Sequence, residues 1–224
     1  MESTFGSTVL QVVLYCVPLL LGVVVHEVSH GWVAEKLGDP TARLMGRITL
    51  NPLVHIDLVG TVILPLLLIV TQSPFLFGWA KPVPVQFANL RGGRRDMALV
   101  ALSGPLSNFS IAAVSALVYH GILVASGKGL IPSGGFVGAI AEPLFLMATI
   151  SVSFNLVLMV VNLLPVPPLD GGRIMVGILP IRLAHMLAGL ERYGMLIVLV
   201  LIATGWWGYI VSPIIKTFMR LMLS

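Results

Sequence analysis

Residues 22–34 read GVVVHEVSHGWVA, which places His26, Glu27 and His30 inside a run that is otherwise apolar from Val9 to Ala34 apart from Gln11 and Ser29. On a helix, positions four apart share a face, so both imidazoles can reach one metal ion. Glu27 sits beside them and can act as base toward a water at that metal. A charge at mid-bilayer costs about 2.5–3.5 kcal/mol even on the lenient insertion scale, and such residues are functional by default. The stretch therefore predicts a membrane-spanning helix that carries chemistry.

Composition agrees with a bilayer. The chain has 224 residues, of which 57% are hydrophobic and 10% charged. Soluble domains carry about 25% charged residues, so this chain cannot cover a water-facing surface of its size. The net charge of +4 belongs with membrane insertion rather than nucleic-acid binding, because basic residues gather on the cytoplasmic side. Cys16 has no partner for an internal disulfide and lies in an apolar run, where it packs as a small hydrophobe. The N-terminus holds Glu2 and no basic residue ahead of the first apolar run. It lacks the n-region of a signal peptide, and the run is expected to stay in the protein.

Four stretches are long enough to span a core that takes about 20 apolar residues: Val9–Ala34, Ala98–Ser126, Ala139–Val166 and Gly194–Ile215. A shorter run, Leu58–Val70, is expected to form a re-entrant or hairpin segment, and Arg173–Arg192 an interfacial helix. Ten of the thirteen Lys and Arg residues fall between the first and second or the third and fourth long spans. That asymmetry places both termini outside. The fold class read here is an all-α polytopic membrane protein with about four full transmembrane helices and a single domain over 1–224. Ala42–Leu50 and Pro82–Phe87 have strand character and predict a small β element near the site, which either holds an unwound substrate by edge pairing or merely covers the site.

A catalytic zinc takes three protein ligands and keeps one open position. Asp170, in NLLPVPPLDGG (162–172), is the best third candidate: Pro165, Pro167 and Pro168 end the helix, and Gly171 and Gly172 permit a sharp turn back toward the metal. The alternative role for Asp170 is to cap a helix starting near Arg173. His120 and His185 fall at a span end and in the interfacial segment, and His55 and Asp57 read as interface residues. Asn155 and Asn162 share a helical face. Asn155 reads as an interhelical hydrogen-bonding residue, and Asn162 as a catalytic one, aiding the substrate backbone or the oxyanion. The small residues of SGPLSN (103–108) suit close packing on the histidine helix.

HEVSH, SGPLSN and NLLPVPPLDGG together resemble the site-2 proteases, the intramembrane zinc metalloproteases. GDPTARLMGRITLNPLVHIDLVGT (38–61) and FGWAKPVPV (77–85) resemble the compact prokaryotic branch, and the likeness covers about residues 9–180. The resemblance implies that His26, His30 and Asp170 bind one Zn2+, that Glu27 is the catalytic base, and that Asn162 assists. It implies a multi-pass protein of a prokaryotic cell membrane that cuts a transmembrane protein substrate within the lipid bilayer. The loop from Gly127 to Gly138 is too short for a PDZ domain, and no CBS domains follow, so regulation through those modules is not expected. Pro- and Gly-broken helices also occur in transporters, but paired halves are missing, and a Glu beside two His suits hydrolysis better than passage. An inactive homologue that only binds membrane proteins is a further class, and an intact Glu27 argues against it.

Overall fold

The computed structural model describes residues 2–72, 78–132 and 134–224. Helix α1 (Glu2–Lys36) opens the chain, and a single turn, α2 (Thr41–Leu44), follows it. Asp57 caps a π-helical turn, Leu58–Ile63, by accepting from the Gly60 N–H at 2.7 Å, and this turn runs on into α3 (Leu64–Val70). Two long helices come next, α4 (Arg94–Gly127) and α5 (Gly135–Asn162). Four shorter ones complete the fold: α6 (Asp170–Ile178), α7 (Ile181–Gly189), α8 (Gly194–Ala203) and α9 (Ser212–Leu223).

Three of the helices, α1 from Leu10, α4 and α5, are long and apolar enough to cross a bilayer. Lipid tails are as apolar as leucine, so helices in a bilayer associate through close packing and hydrogen bonds rather than by escaping water. The sequence of α4 meets that requirement. It packs against α1, α5, α6 and α9, and its contact faces are lined by small residues, among them Gly104, Ala112 and Ala116. Ala112 and Ala116 lie against Val152, Leu156 and Val160 of α5 and against Val211 and Ile215 of the C-terminal arm. Near the other end, Met97 and Val100 pack on Ala34 and Leu90. Large apolar side chains such as Leu10, Leu117 and Leu144 point outward, as a lipid-facing belt requires.

Several expectations are corrected. The fourth long span, Gly194–Ile215, is not one helix. α8 ends at Ala203, Gly205 takes a φ of +77°, and a π-helical turn (Trp207–Val211) leads into α9. The interfacial helix is two helices, because Pro180 cannot donate a backbone hydrogen bond and Leu179 before it is extended. The small β element is not found among the described residues. Ala42 lies buried in α2, where Gly31 leaves room for it, and Pro82–Gln86 forms neither strand nor helix. β-propensity in so short a stretch yields to these contacts. Leu58–Val70 is helical but rises only about 20 Å at about 1.5 Å per residue, too short to cross alone. Residues 73–77, which follow it, lie outside the described residues.

The loops at the Lys36 end of α1 are gathered on one carboxylate. Asp39 is fully buried. It accepts from the Thr41 hydroxyl at 2.5 Å and the Thr41 N–H at 3.2 Å, and from the Gln86 N–H at 2.6 Å and the Asn89 amide at 2.9 Å. Burial alone would raise its pKa, but the bonds from Thr41, Asn89 and Gln86 outweigh burial and hold it below the usual value. A group with a depressed folded pKa adds stability above its unfolded pKa of about 3.9, and loses it as pH falls through the folded value. Asp39→Ala should therefore lower thermal stability in detergent by at least about 1.5–3 kcal/mol at neutral pH, the worth of a bond to a charged group. The gap to wild type should shrink below about pH 4. A gap that widens on acidification would remove Asp39 as the tie.

Candidate active site

The histidine pair comes from the last third of α1 and Asp170 from the first position of α6. Between α5 and α6 the chain must reverse tightly enough to bring that carboxylate to the histidines. A Cβ at Gly171 would collide with the Leu163 and Leu164 carbonyl oxygens, and one at Gly172 with the Pro167 backbone. Only glycine permits the close approach here. Asp170 does not cap a later helix. It opens α6, and its side chain turns to the histidines.

The three side chains converge in a buried cluster. Asp170 Oδ2 lies 3.1 Å from His26 Nε2 and 3.3 Å from His30 Nε2, and the two Nε2 atoms are 3.1 Å apart. The other ring nitrogens are engaged. His30 Nδ1 lies 2.7 Å from the Val100 carbonyl oxygen, and His26 Nδ1 lies 2.6 Å from Asn108 Oδ1. A backbone carbonyl can only accept, so His30 carries its proton on Nδ1 and turns a lone pair on Nε2 toward the cluster. Asp170 Oδ2 is buried with no hydrogen-bond donor. The His30 lone pair, His26 Nε2 and Asp170 Oδ2 thus face one another in a buried pocket.

A cation resolves that arrangement. Zinc binds His nitrogen at about 2.0–2.1 Å and carboxylate oxygen at about 2.0–2.2 Å in a tetrahedron, whose edges are then about 3.3–3.4 Å. The separations above match that edge, and ligating imidazoles bonded outward through Nδ1 are the usual support of such a site. The residues fit zinc. Helix α4 closes one side, since a Cβ on Gly104 would lie 2.5 Å from His30 Nε2 and 2.6 Å from His26 Cε1. The small residues of SGPLSN thus sit against the histidine helix, as read from the sequence.

Glu27 is half-buried and outside the trio. Its Oε2 accepts from the Val83 N–H at 2.7 Å, which fixes the carboxylate beside the Lys81–Gln86 loop. Pro82 and Pro84 have no N–H, so Val83 supplies the donor from this short run. Asn162 stands at the end of α5, where its amide donates to the Leu158 carbonyl at 2.9 Å. His55 is buried with Nε2 on the Thr49 carbonyl oxygen, His120 Nε2 meets the Met222 carbonyl oxygen, and His185 is exposed on α7. These three histidines and Asp57 serve the loops and helix ends, not the trio. Sequence reading missed the contacts of Val83, Val100 and Asn108. For Asn108 one signal was available, a lone amide on the inner turns of an apolar span.

The family profile of peptidase family M50 matches residues 133–204, which include the LDGG turn. The chain is 34% identical over 200 residues to a Bacillus subtilis (strain 168) protein named "Putative zinc metalloprotease YwhC", covering 89% of this chain and 84% of that one. It is 30% identical over 186 residues to "Putative zinc metalloprotease Rip2" of Mycolicibacterium smegmatis (strain ATCC 700084 / mc(2)155), covering 83% of this chain and 64% of that relative. No solved structure matches the chain. With a buried His-His-Asp cluster of zinc dimensions in apolar helices, and a relative so similar along most of both chains, this chain belongs to peptidase family M50, the site-2-type zinc metalloproteases, in their compact form.

Proposed function

We propose that this protease holds one zinc per chain on His26, His30 and Asp170 and hydrolyses peptide bonds in or near membrane-spanning segments of other proteins. The observation that carries the reading is the depth of the cluster. His30 lies less than two turns from Lys36 at the end of α1, and Gly104 about three turns into α4 from Arg94. A scissile bond that reaches this site must enter the same layer. The basic ends of these helices point inward by the positive-inside rule, which puts the site near the cytoplasmic face of a prokaryotic cell membrane and both termini outside. Residues 1–224 act as a single domain in this reading.

Bound zinc supplies Lewis acidity, polarising a carbonyl and lowering the pKa of water to about 7. The protein does the rest. Glu27, anchored by the Val83 N–H, takes a proton from the attacking water and delivers it to the leaving amine nitrogen. The Val83 bond leaves Oε1 for that exchange. Asn162, at the end of α5 just before the proline turn, provides an amide N–H for the developing oxyanion once its bond to Leu158 is given up. Closely packed helices around the trio exclude bulk water, which strengthens each of these interactions. A helical substrate hides its carbonyls in its own hydrogen bonds, so the scissile turn must unwind before attack.

Two substitutions separate the roles. Asp170→Ala removes an anionic ligand and should lower bound zinc well below one per chain, with loss of cleavage. Zinc content and cleavage of a single-span substrate in liposomes, both at the wild-type level, would take Asp170 out of the site.

Glu27→Gln keeps size and the bond from Val83 but cannot accept a proton. It should retain zinc and lose cleavage by about 10²–10⁴-fold, the contribution typical of a general acid–base. Turnover at the wild-type rate would mean that another group is the base.

A further inference from the structure

A line of buried polar side chains leads away from His26 through the apolar interior, and the mechanism above uses none of it beyond its first contact. Asn108 of α4 and Asn155 of α5 are both fully buried, and Ser151 is buried one turn before Asn155. Their hydrogen bonds have a direction that can be worked out. The Asn155 amide nitrogen donates to the Ser151 carbonyl oxygen at 2.9 Å. A carbonyl only accepts, so the Asn155 NH2 group is fixed there and its Oδ1 points the other way. The Asn108 amide nitrogen donates to that Oδ1 at 2.9 Å and to the Gly22 carbonyl oxygen at 3.1 Å. Two acceptors use both of its protons. Asn108 Oδ1 is therefore the atom left to face His26 Nδ1 at 2.6 Å, and it can only accept. It follows that His26 Nδ1 carries the proton and Nε2 the lone pair.

We propose that Asn108 and Asn155 are positioning residues that lock the tautomer and ring orientation of His26, so that its Nε2 is presented as a ligand before zinc arrives. His30 receives the same support from a backbone carbonyl, Val100. For His26 the acceptor is a side-chain amide of α4, held in turn by an amide of α5. Gly22 belongs to the arrangement. A Cβ there would lie 2.8 Å from Asn155 Oδ1, so the glycine leaves the space in which the two amides meet. A polar residue in a membrane helix that served only to hold helices together would gain little per bond. Amides committed in one sense and ending on a metal ligand carry a further task, since supporting partners of metal ligands are typically worth 10–100-fold in metal affinity.

The proposal rests on His26 being a zinc ligand, and the test keeps the two apart. The full chain in detergent is labelled with 15N at histidine, and zinc affinity is measured by chelator competition. His26→Gln assigns the His26 signals. In the wild type, His26 should show a protonated Nδ1 and an unprotonated Nε2. Asn108→Leu keeps bulk but removes the acceptor, and should mix the tautomers and weaken zinc by about 10–100-fold. Asn108→Asp loses the donors to Gly22 and Asn155 but keeps an oxygen facing Nδ1, and should restore the tautomer and bind zinc more tightly than Asn108→Leu. Asn155→Leu should weaken zinc less, because Gly22 still holds the Asn108 amide. A packing role predicts the opposite order, with Asp worse than Leu and the tautomer unmoved, and that result would overturn the proposal. A wild-type His26 protonated on Nε2 would overturn it without any variant, even if Asn108→Leu does not fold. Zinc affinity indifferent to His26→Gln would instead strike at the ligand assignment, and the proposal would fall with it.

Discussion

Lone pairs that face one another in a buried pocket, with no donor among them, are the constraint on which this structure depends. His26, His30 and Asp170 bring their ligand atoms to about 3 Å from each other. Without a cation such an arrangement is repulsive, and desolvation makes the repulsion stronger. The neighbouring elements can be understood as what it takes to hold it. Helix α4 contributes a glycine where its backbone meets the imidazoles. The proline-rich turn after α5 delivers the carboxylate from a different part of the chain, and the Val100 and Asn108 oxygens hold the rings from behind.

The bilayer decides which forces are available for that work. Apolar side chains on the outside of α1, α4 and α5 gain nothing by moving between lipid and protein, so their number says little about how tightly the bundle is held. Close contact and buried hydrogen bonds decide instead. The alanines of α4 give the first and the Asn108–Asn155 pair the second. At the water-facing end the balance changes. There the Glu35–Arg43 ion pair and the Asp39 bonds tie loops to helix ends.

Much of this was legible in the sequence, for reasons that differ from residue to residue. The spacing of His26 and His30 is a property of any helix, so their shared face could be read without coordinates. Asp170 could be proposed because prolines and glycines announce a turn wherever they stand. The break in the last apolar span was harder to see. Hydropathy measures length and not continuity, and Thr204 and Gly205 are both ordinary in membrane helices. The strand reading of Ala42–Leu50 failed because Ala42 is captured by α1 through Gly31, a contact that local propensity cannot see. Asn108 looks the same in sequence whether it faces another helix or a metal ligand. Only the partners of its amide reveal which.

The glycines at Gly104, Gly171, Gly172 and Gly194 share one property: a Cβ on any of them would meet a histidine ring or another stretch of backbone. Most buried positions can exchange one side chain for another of similar volume as a chain diverges. A site where backbone touches backbone has no neighbouring residue type to exchange with, so neutral drift is closed there from the start. Gly104 against the histidine rings, and Gly171 and Gly172 just after Asp170, put three such sites next to the His-His-Asp cluster. The inner architecture of this enzyme can therefore be inherited or lost, but it offers few intermediate sequences through which it could be slowly rebuilt.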